Sequence, residues 1–159
     1  MDPGRRTFIR DVGSSSVIAL LASYGLLPES AYAELWNKAA FEATSLEEAL
    51  VNVLDGARVA DNRGDRNGVG IIAPEIAENG AIVPVGVVAA VPDIESIAIL
   101  CEDNPQPLAA IYDIPPGGLP EIRTRVKMAA SSNVVVLVKA AGVFHMASKA
   151  IKVTRGGCG

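Results

Sequence analysis

The chain has 159 residues, a formal net charge of −4 at pH 7, and a residue content that is 50% hydrophobic. A mildly acidic balance lacks the basic footprint that nucleic acid demands, which excludes that class of partner. Aromatic residues make up only 4% of the chain, so any core must be built from Ala, Val, Ile and Leu.

Residues 1–33 read as a twin-arginine export signal. Arg5-Arg6-Thr7-Phe8-Ile9-Arg10 opens it, an apolar stretch from Val17 to Leu27 follows, and Ala31-Tyr32-Ala33 is an A-x-A cleavage site before Glu34. Gly13, Ser14, Ser15, Ser16, Ser23 and Gly25 dilute the apolar run below what a membrane-spanning helix needs. The expected destination is the periplasm, with no membrane attachment after cleavage. Cleavage removes Arg5, Arg6 and Arg10 together with Asp2, Asp11 and Glu29, so the net charge does not change. About 125 residues remain, enough for one domain with its own core.

That domain is expected over residues 34–154. Ser45-Leu46-Glu47-Glu48 is a capping box, with the Ser hydroxyl taking a backbone N–H and the Glu reaching back. Leu46, Ala49, Leu50, Val53 and Leu54 follow at helical spacing and Gly56 is the predicted stop. Residues 34–41 supply an earlier helical turn, with Trp36 and Phe41 facing inward. The polar run 61–68 fails the calcium-loop pattern, because Arg63 takes a ligand position and no glutamate closes it, so it reads as a solvated turn.

From Val69 onward short runs rich in Val, Ile and Ala alternate with turn residues. Strands are predicted at 69–73, 81–90, 94–101, 107–113, 122–129, 134–140 and 143–154. The separators include Asn79-Gly80, Asn104-Pro105, Pro115-Pro116-Gly117-Gly118, Ser131-Ser132-Asn133 and Ala141-Gly142. In residues 122–128 the alternation puts Arg123, Arg125 and Lys127 on a wet face and Val126 and Met128 inside. The pattern predicts an all-β fold: an immunoglobulin-like antiparallel β-sandwich with a short N-terminal helix. Residues 155–159 form a flexible C-terminal arm, Arg155-Gly156-Gly157-Cys158-Gly159, hung from the last strand.

Catalytic motifs are missing. His145 is the single histidine and reads as a partly exposed sheet residue, and no G-x-S-x-G, phosphate-binding loop or C-x-x-C occurs. No metal or cofactor is implied, and the chain does not read as an enzyme. Cys101 follows Ile97 and Ile99 at period two and belongs to the core. Cys158, between glycines, is a free thiol. The alternative is an exported immunoglobulin-like structural or adhesion module closed by a Cys101–Cys158 disulfide. A thiol oxidoreductase is a poorer reading, because no resolving cysteine lies beside Cys158.

The arm resembles the C-terminus of the SoxY family, the sulfur-carrier subunits of the periplasmic thiosulfate-oxidising (Sox) system, which end in Gly-Gly-Cys-Gly-Gly. This chain stops one glycine earlier. Residues 74–85, PEIAENGAIVPV, resemble an internal segment of that family, and so do Asn104-Pro105-Gln106-Pro107-Leu108 and Ile151-Lys152-Val153-Thr154. The resemblance implies a carrier whose cysteine, here Cys158, holds a covalent sulfur or thiosulfate-derived adduct. Gly156, Gly157 and Gly159 would leave no side chain beside the sulfur to block a narrow active-site channel; apart from the resemblance, the guanidinium of Arg155, three residues before the thiol, makes it a candidate electrostatic helper. The resemblance further implies a heterodimer with a SoxZ-like subunit, and transient visits to SoxAX, SoxB and SoxCD. Carriers of the β-grasp type also end on glycine, but those use a terminal carboxylate in the cytoplasm.

Overall fold

A computed structural model describes residues 37–60 and 68–155. The predicted export signal, Trp36, the segment 61–67 and residues 156–159 lie outside them. Two short helices, α1 (Lys38–Glu42) and α2 (Leu46–Leu54), precede eight strands. The strands are β1 (Val69–Ile72), β2 (Ile76–Ala77), β3 (Val83–Ala89), β4 (Ile94–Cys101), β5 (Leu108–Asp113), β6 (Glu121–Val126), β7 (Ser132–Ala140) and β8 (Val143–Val153). They form a three-stranded sheet in the order β1-β3-β6 and a five-stranded sheet in the order β2-β8-β7-β4-β5. The fold is the expected all-β sandwich. Among the described strands the one departure from antiparallel pairing is β2, which runs parallel to β8.

The two sheets close on an aliphatic core. Val83, Val85 and Val87 of β3 alternate inward against Ile97, Ile99 and Cys101 of β4 and Val134, Val136 and Val138 of β7. Each such side chain, fully buried, contributes on the order of 1.5–3 kcal/mol, which is how a chain almost without aromatics still folds. Between the sheets the Tyr112 hydroxyl donates to Thr124 Oγ1 at 3.0 Å, tying β5 to β6.

β4 and β7 are central strands buried on both faces, which accounts for the unbroken apolar runs of the sequence there. Their outer residues, Ala98, Leu100, Val135 and Leu137, join Leu108 and Phe144 in a second cluster roofed by the helices. Ala40, Ala43 and Ala49 face this layer, and their small size lets the helices approach the sheet closely. Phe41 packs here as predicted.

The cap of α2 differs in detail from the expected box. Ser45 Oγ accepts from the Glu48 N–H at 3.2 Å, but the Glu48 carboxylate accepts from the N–H of Thr44, one residue earlier than anticipated. The helix ends through Asp55 in the left-handed region (φ 44°), with Gly56 following at φ 74°. Two residues with positive φ therefore share the stop that the sequence assigned to the glycine alone.

The β7–β8 hairpin turns on Ala141 (φ 48°) and Gly142 (φ 74°), the geometry of a type I′ turn. Glu95 braces it. Its carboxylate accepts from the Gly142 N–H at 2.8 Å and pairs with Lys139 at 3.2 Å. The Gly142 N–H first, and then Lys139, hold its pKa below the usual carboxylate value.

Candidate functional site

β8 ends at Val153, and Thr154 and Arg155 are the last described residues before the predicted arm. Gly156, Gly157, Cys158 and Gly159 lie outside the described residues, so the site is built from the ground on which the arm stands.

That ground is a collar of hydrogen bonds. β2 lies alongside the end of β8 in parallel register, Ile76 opposite Lys152 and Ala77 opposite Val153. The Lys152 N–H donates to the Glu75 carbonyl at 2.9 Å and the Thr154 N–H to the Ala77 carbonyl at 3.0 Å. The Thr154 hydroxyl donates to the Glu78 carbonyl at 3.0 Å. The Gly80 N–H then donates to the Arg155 carbonyl at 2.8 Å, while the Gly80 carbonyl accepts from the Met128 N–H at 2.7 Å. Gly80 is thus a buried bridge between the arm's root and the strand β6 side of the sandwich. Asn79 shapes the approach by accepting the Ala81 N–H on its own side chain at 2.9 Å, an Asx turn.

Two further turns complete the collar. Ser131 Oγ accepts from the Val153 N–H at 2.8 Å and donates to the Val153 carbonyl at 3.2 Å. Asn104 donates to the Lys127 carbonyl at 2.7 Å and accepts from the Ala129 N–H at 2.8 Å. Segments distant in sequence are therefore linked at the end of β8: Asn104 holds the 127–129 turn, Met128 of that turn bonds Gly80, and Gly80 bonds Arg155. Upstream, Lys149 Nζ donates to the Ala73 carbonyl at 2.5 Å and fixes where the β2 segment begins. The chain is thus held to the sandwich as far as the Arg155 carbonyl, the last described residue.

By their own chemistry Asn79-Gly80, Asn104-Pro105 and Ser131-Ser132 read as strand separators, whereas in the structure Gly80 and Ser131 bond the arm's root and Asn104 holds the 127–129 turn beside Gly80. β2 was not predicted at all. At two residues it has no periodicity to detect, and the only sequence trace is the apolar pair Ile76-Ala77 between acids.

Of the singled-out residues, Arg155 is exposed and has no ion-pair partner among the described residues. Cys101 is fully buried and unpaired, on the face of β4 shared with Ile97 and Ile99, as predicted. Burial pushes its thiol up to about 11, so at neutral pH it is protonated and inert. His145 is half-buried, and its Nδ1 is enclosed without a hydrogen-bond partner. Among the described residues no group of three or more His, Cys, Asp or Glu could hold a metal ion. No helix among them is long and apolar enough to cross a membrane.

Comparison with known proteins agrees with this geometry. A family model described as "Sulfur oxidation protein SoxY" matches residues 56–158, a span that includes the collar and Cys158. Among solved structures, the sulfur carrier protein SoxY from Chlorobium limicola f thiosulfatophilum is 35% identical. The match covers 69% of this chain and 96% of that one, with a TM-score of 0.60. A superoxide reductase (neelaredoxin) from Ignicoccus hospitalis also matches, at 18% identity and a TM-score of 0.48 over 54% of this chain and 79% of that one. No curated protein matches.

Proposed function

The chain belongs to the SoxY family, and on that premise we propose that it is the sulfur carrier of a periplasmic thiosulfate-oxidising system, with Cys158 as the covalent attachment point. The observation that carries the proposal is the family match running through residue 158, at the end of a sandwich whose last strand is fastened by Gly80 and Ser131. A rigid root with a short arm suits a handle that is inserted into other proteins' active sites.

The chemistry on the arm is supplied from outside. A SoxAX-type haem partner takes two electrons from the Cys158 thiolate and thiosulfate together, forming a sulfur–sulfur bond and an anionic S-thiosulfonate. A SoxB-type hydrolase adds water to the terminal sulfonate, releasing sulfate and two protons and leaving a persulfide on Cys158. A SoxCD-type enzyme oxidises that remaining sulfane sulfur. In this reading the partner enzymes supply the base and the oxidant for these steps. Arg155 stands three residues from the thiol and is exposed, so in physiological salt, where the Debye length is about 8 Å, its field on the sulfur is largely screened. Its better supported role is the backbone carbonyl that Gly80 holds. The chain is therefore a substrate carrier and not an enzyme.

Export through the twin-arginine route fits a protein that folds first and carries a SoxZ-like subunit with it. A surface for that subunit is available. The outer face of β1 and β3 exposes Ile72 and Val88, paired in register with Gly86 and Gly70, an apolar face of the kind a second sheet covers.

The test is intact mass after thiosulfate loading in the presence of the haem partner. Wild-type chain gains the thiosulfonate mass, whereas Cys158→Ser keeps the fold and the SoxZ-like subunit and gains none. Thiosulfate-derived mass on Cys158→Ser overturns the reading.

A further inference from the structure

The arm is short, and its shortness defines where an enzyme can land. Cys158 is three residues beyond Arg155, so its Cα reaches at most about 10 Å from that of Arg155. An enzyme that takes the sulfur into a pocket must bring its surface against the ground around Gly80, the residue bonded to the Arg155 carbonyl.

That ground is electrically two-sided. Toward β6, Met128 is bonded to Gly80, and the exposed Lys127 and Arg125 follow on the outer face, successive side chains on that face lying roughly 6.6 Å apart. Neither has an ion-pair partner among the described residues. The next cation on that face, Arg123, is already held by Glu121 at 2.6 Å. Beside the two free cations lie exposed apolar residues, Ile82 at 58% and Pro84, the latter directly opposite Arg125 in the register of β3 and β6. On the other side of the root, β2 and its flanks expose Glu75 and Glu78, with Lys152 on β8.

We propose that Lys127, Arg125, Ile82 and Pro84 form the landing strip for the enzymes that process the arm, and that those enzymes present an acidic, partly apolar rim around the mouth that receives Cys158. The inference rests on the carrier reading above. The arm's length fixes the distance, and the unpaired cations fix the sign. The chain as a whole carries −4 and repels an acidic rim elsewhere, so a local positive strip both steers the encounter and selects one rotation about the arm's axis. One sandwich can then dock in the same orientation with enzymes of different chemistry, provided each mouth carries the same rim.

The experiment compares Arg125→Glu and Lys127→Glu with Lys38→Glu, which makes the same charge change at an exposed site on α1. Each variant, in complex with its second subunit and loaded with thiosulfonate, is given to the purified sulfate-releasing hydrolase, and sulfate is measured against carrier concentration. Arg125→Glu and Lys127→Glu are expected to lower kcat/KM by about tenfold or more at low ionic strength, with kcat at saturation unchanged and the gap closing in about 0.5 M salt. Lys38→Glu is expected to stay within about twofold of wild type. Alkylation of Cys158 by iodoacetamide is expected to be the same in all. Equal effects at Arg125 and Lys38, a fall in kcat with KM unmoved, or loss of the second subunit in Arg125→Glu would each overturn the proposal. A wild-type chain that never acquires sulfur overturns the carrier reading instead, and so the two failures are told apart.

Discussion

The two cysteines should differ in reactivity by orders of magnitude, and the structure sets the size of the difference. Cys101 is fully buried, and desolvation raises its thiol from an ordinary 9.0 to about 11. At pH 8 only about one Cys101 in a thousand is a thiolate, against roughly a quarter of an exposed thiol of pKa near 8.5. Burial multiplies that ratio, because a reagent must wait for local opening of the sandwich. Iodoacetamide at pH 8 followed by intact mass should therefore add one label to the native wild-type chain and a second only in denaturant. Native Cys158→Ser should take none, and native Cys101→Ala should still take one and still load sulfur. The same burial links stability to pH. The folded state prefers the neutral thiol, so this contribution is fully present below about 9 and is lost as pH rises from there toward about 11, amounting to about 2–3 kcal/mol. Cys101→Ala should cost about 1–2 kcal/mol at neutral pH, a Tm loss of roughly 4–10 °C, and its deficit should close above pH 9. Native Cys101 labelling in Cys158→Ser at a rate comparable to that of an exposed thiol would refute the burial argument. A deficit that stays constant to pH 11 would refute the linkage.

Two further substitutions probe the ends of the sandwich. Asn104→Ala removes both bonds that hold the 127–129 turn and leaves the Ala129 N–H without its acceptor. It should cost about 1–3 kcal/mol in urea unfolding and speed amide exchange at Met128 and Gly80, and unchanged exchange there would show that the collar does not depend on it. Ala141→Asn, at a position with φ 48°, replaces a residue strained in the left-handed region by one that tolerates it, and should raise stability by about 0.5–1 kcal/mol, whereas a drop in Tm would contradict the assigned turn geometry.

Much of this architecture follows from short-range chemistry and was legible without coordinates. Ser45 caps α2 because a hydroxyl next to free N–H groups has one good use, and that information lies within three residues. The 122–128 alternation sorts Arg123, Arg125 and Lys127 from Val126 and Met128 because a strand repeats every two residues whatever it pairs with. The period-two spacing likewise put Cys101 inside with Ile97 and Ile99. Cys158 and its glycines stood out through composition and resemblance alone.

Other features needed the folded chain. The double burial of β4 and β7 left no alternation, so only packing could show that Ala98, Leu100, Val135 and Leu137 face a roof of helices. β2 exists because the end of β8 offers it the N–H groups of Lys152 and Thr154, which donate to the carbonyls of Glu75 and Ala77. Two residues carry no intrinsic preference strong enough to announce a strand, and the bonds that define this one are made across more than seventy positions of sequence. The collar depends on the same long-range closure. Gly80, Asn104 and Ser131 each look like a turn residue in its own neighbourhood. Only in the closed sandwich do Gly80 and Ser131 become the partners that the root of the arm requires, with Asn104 holding the 127–129 turn to which Gly80 is bonded.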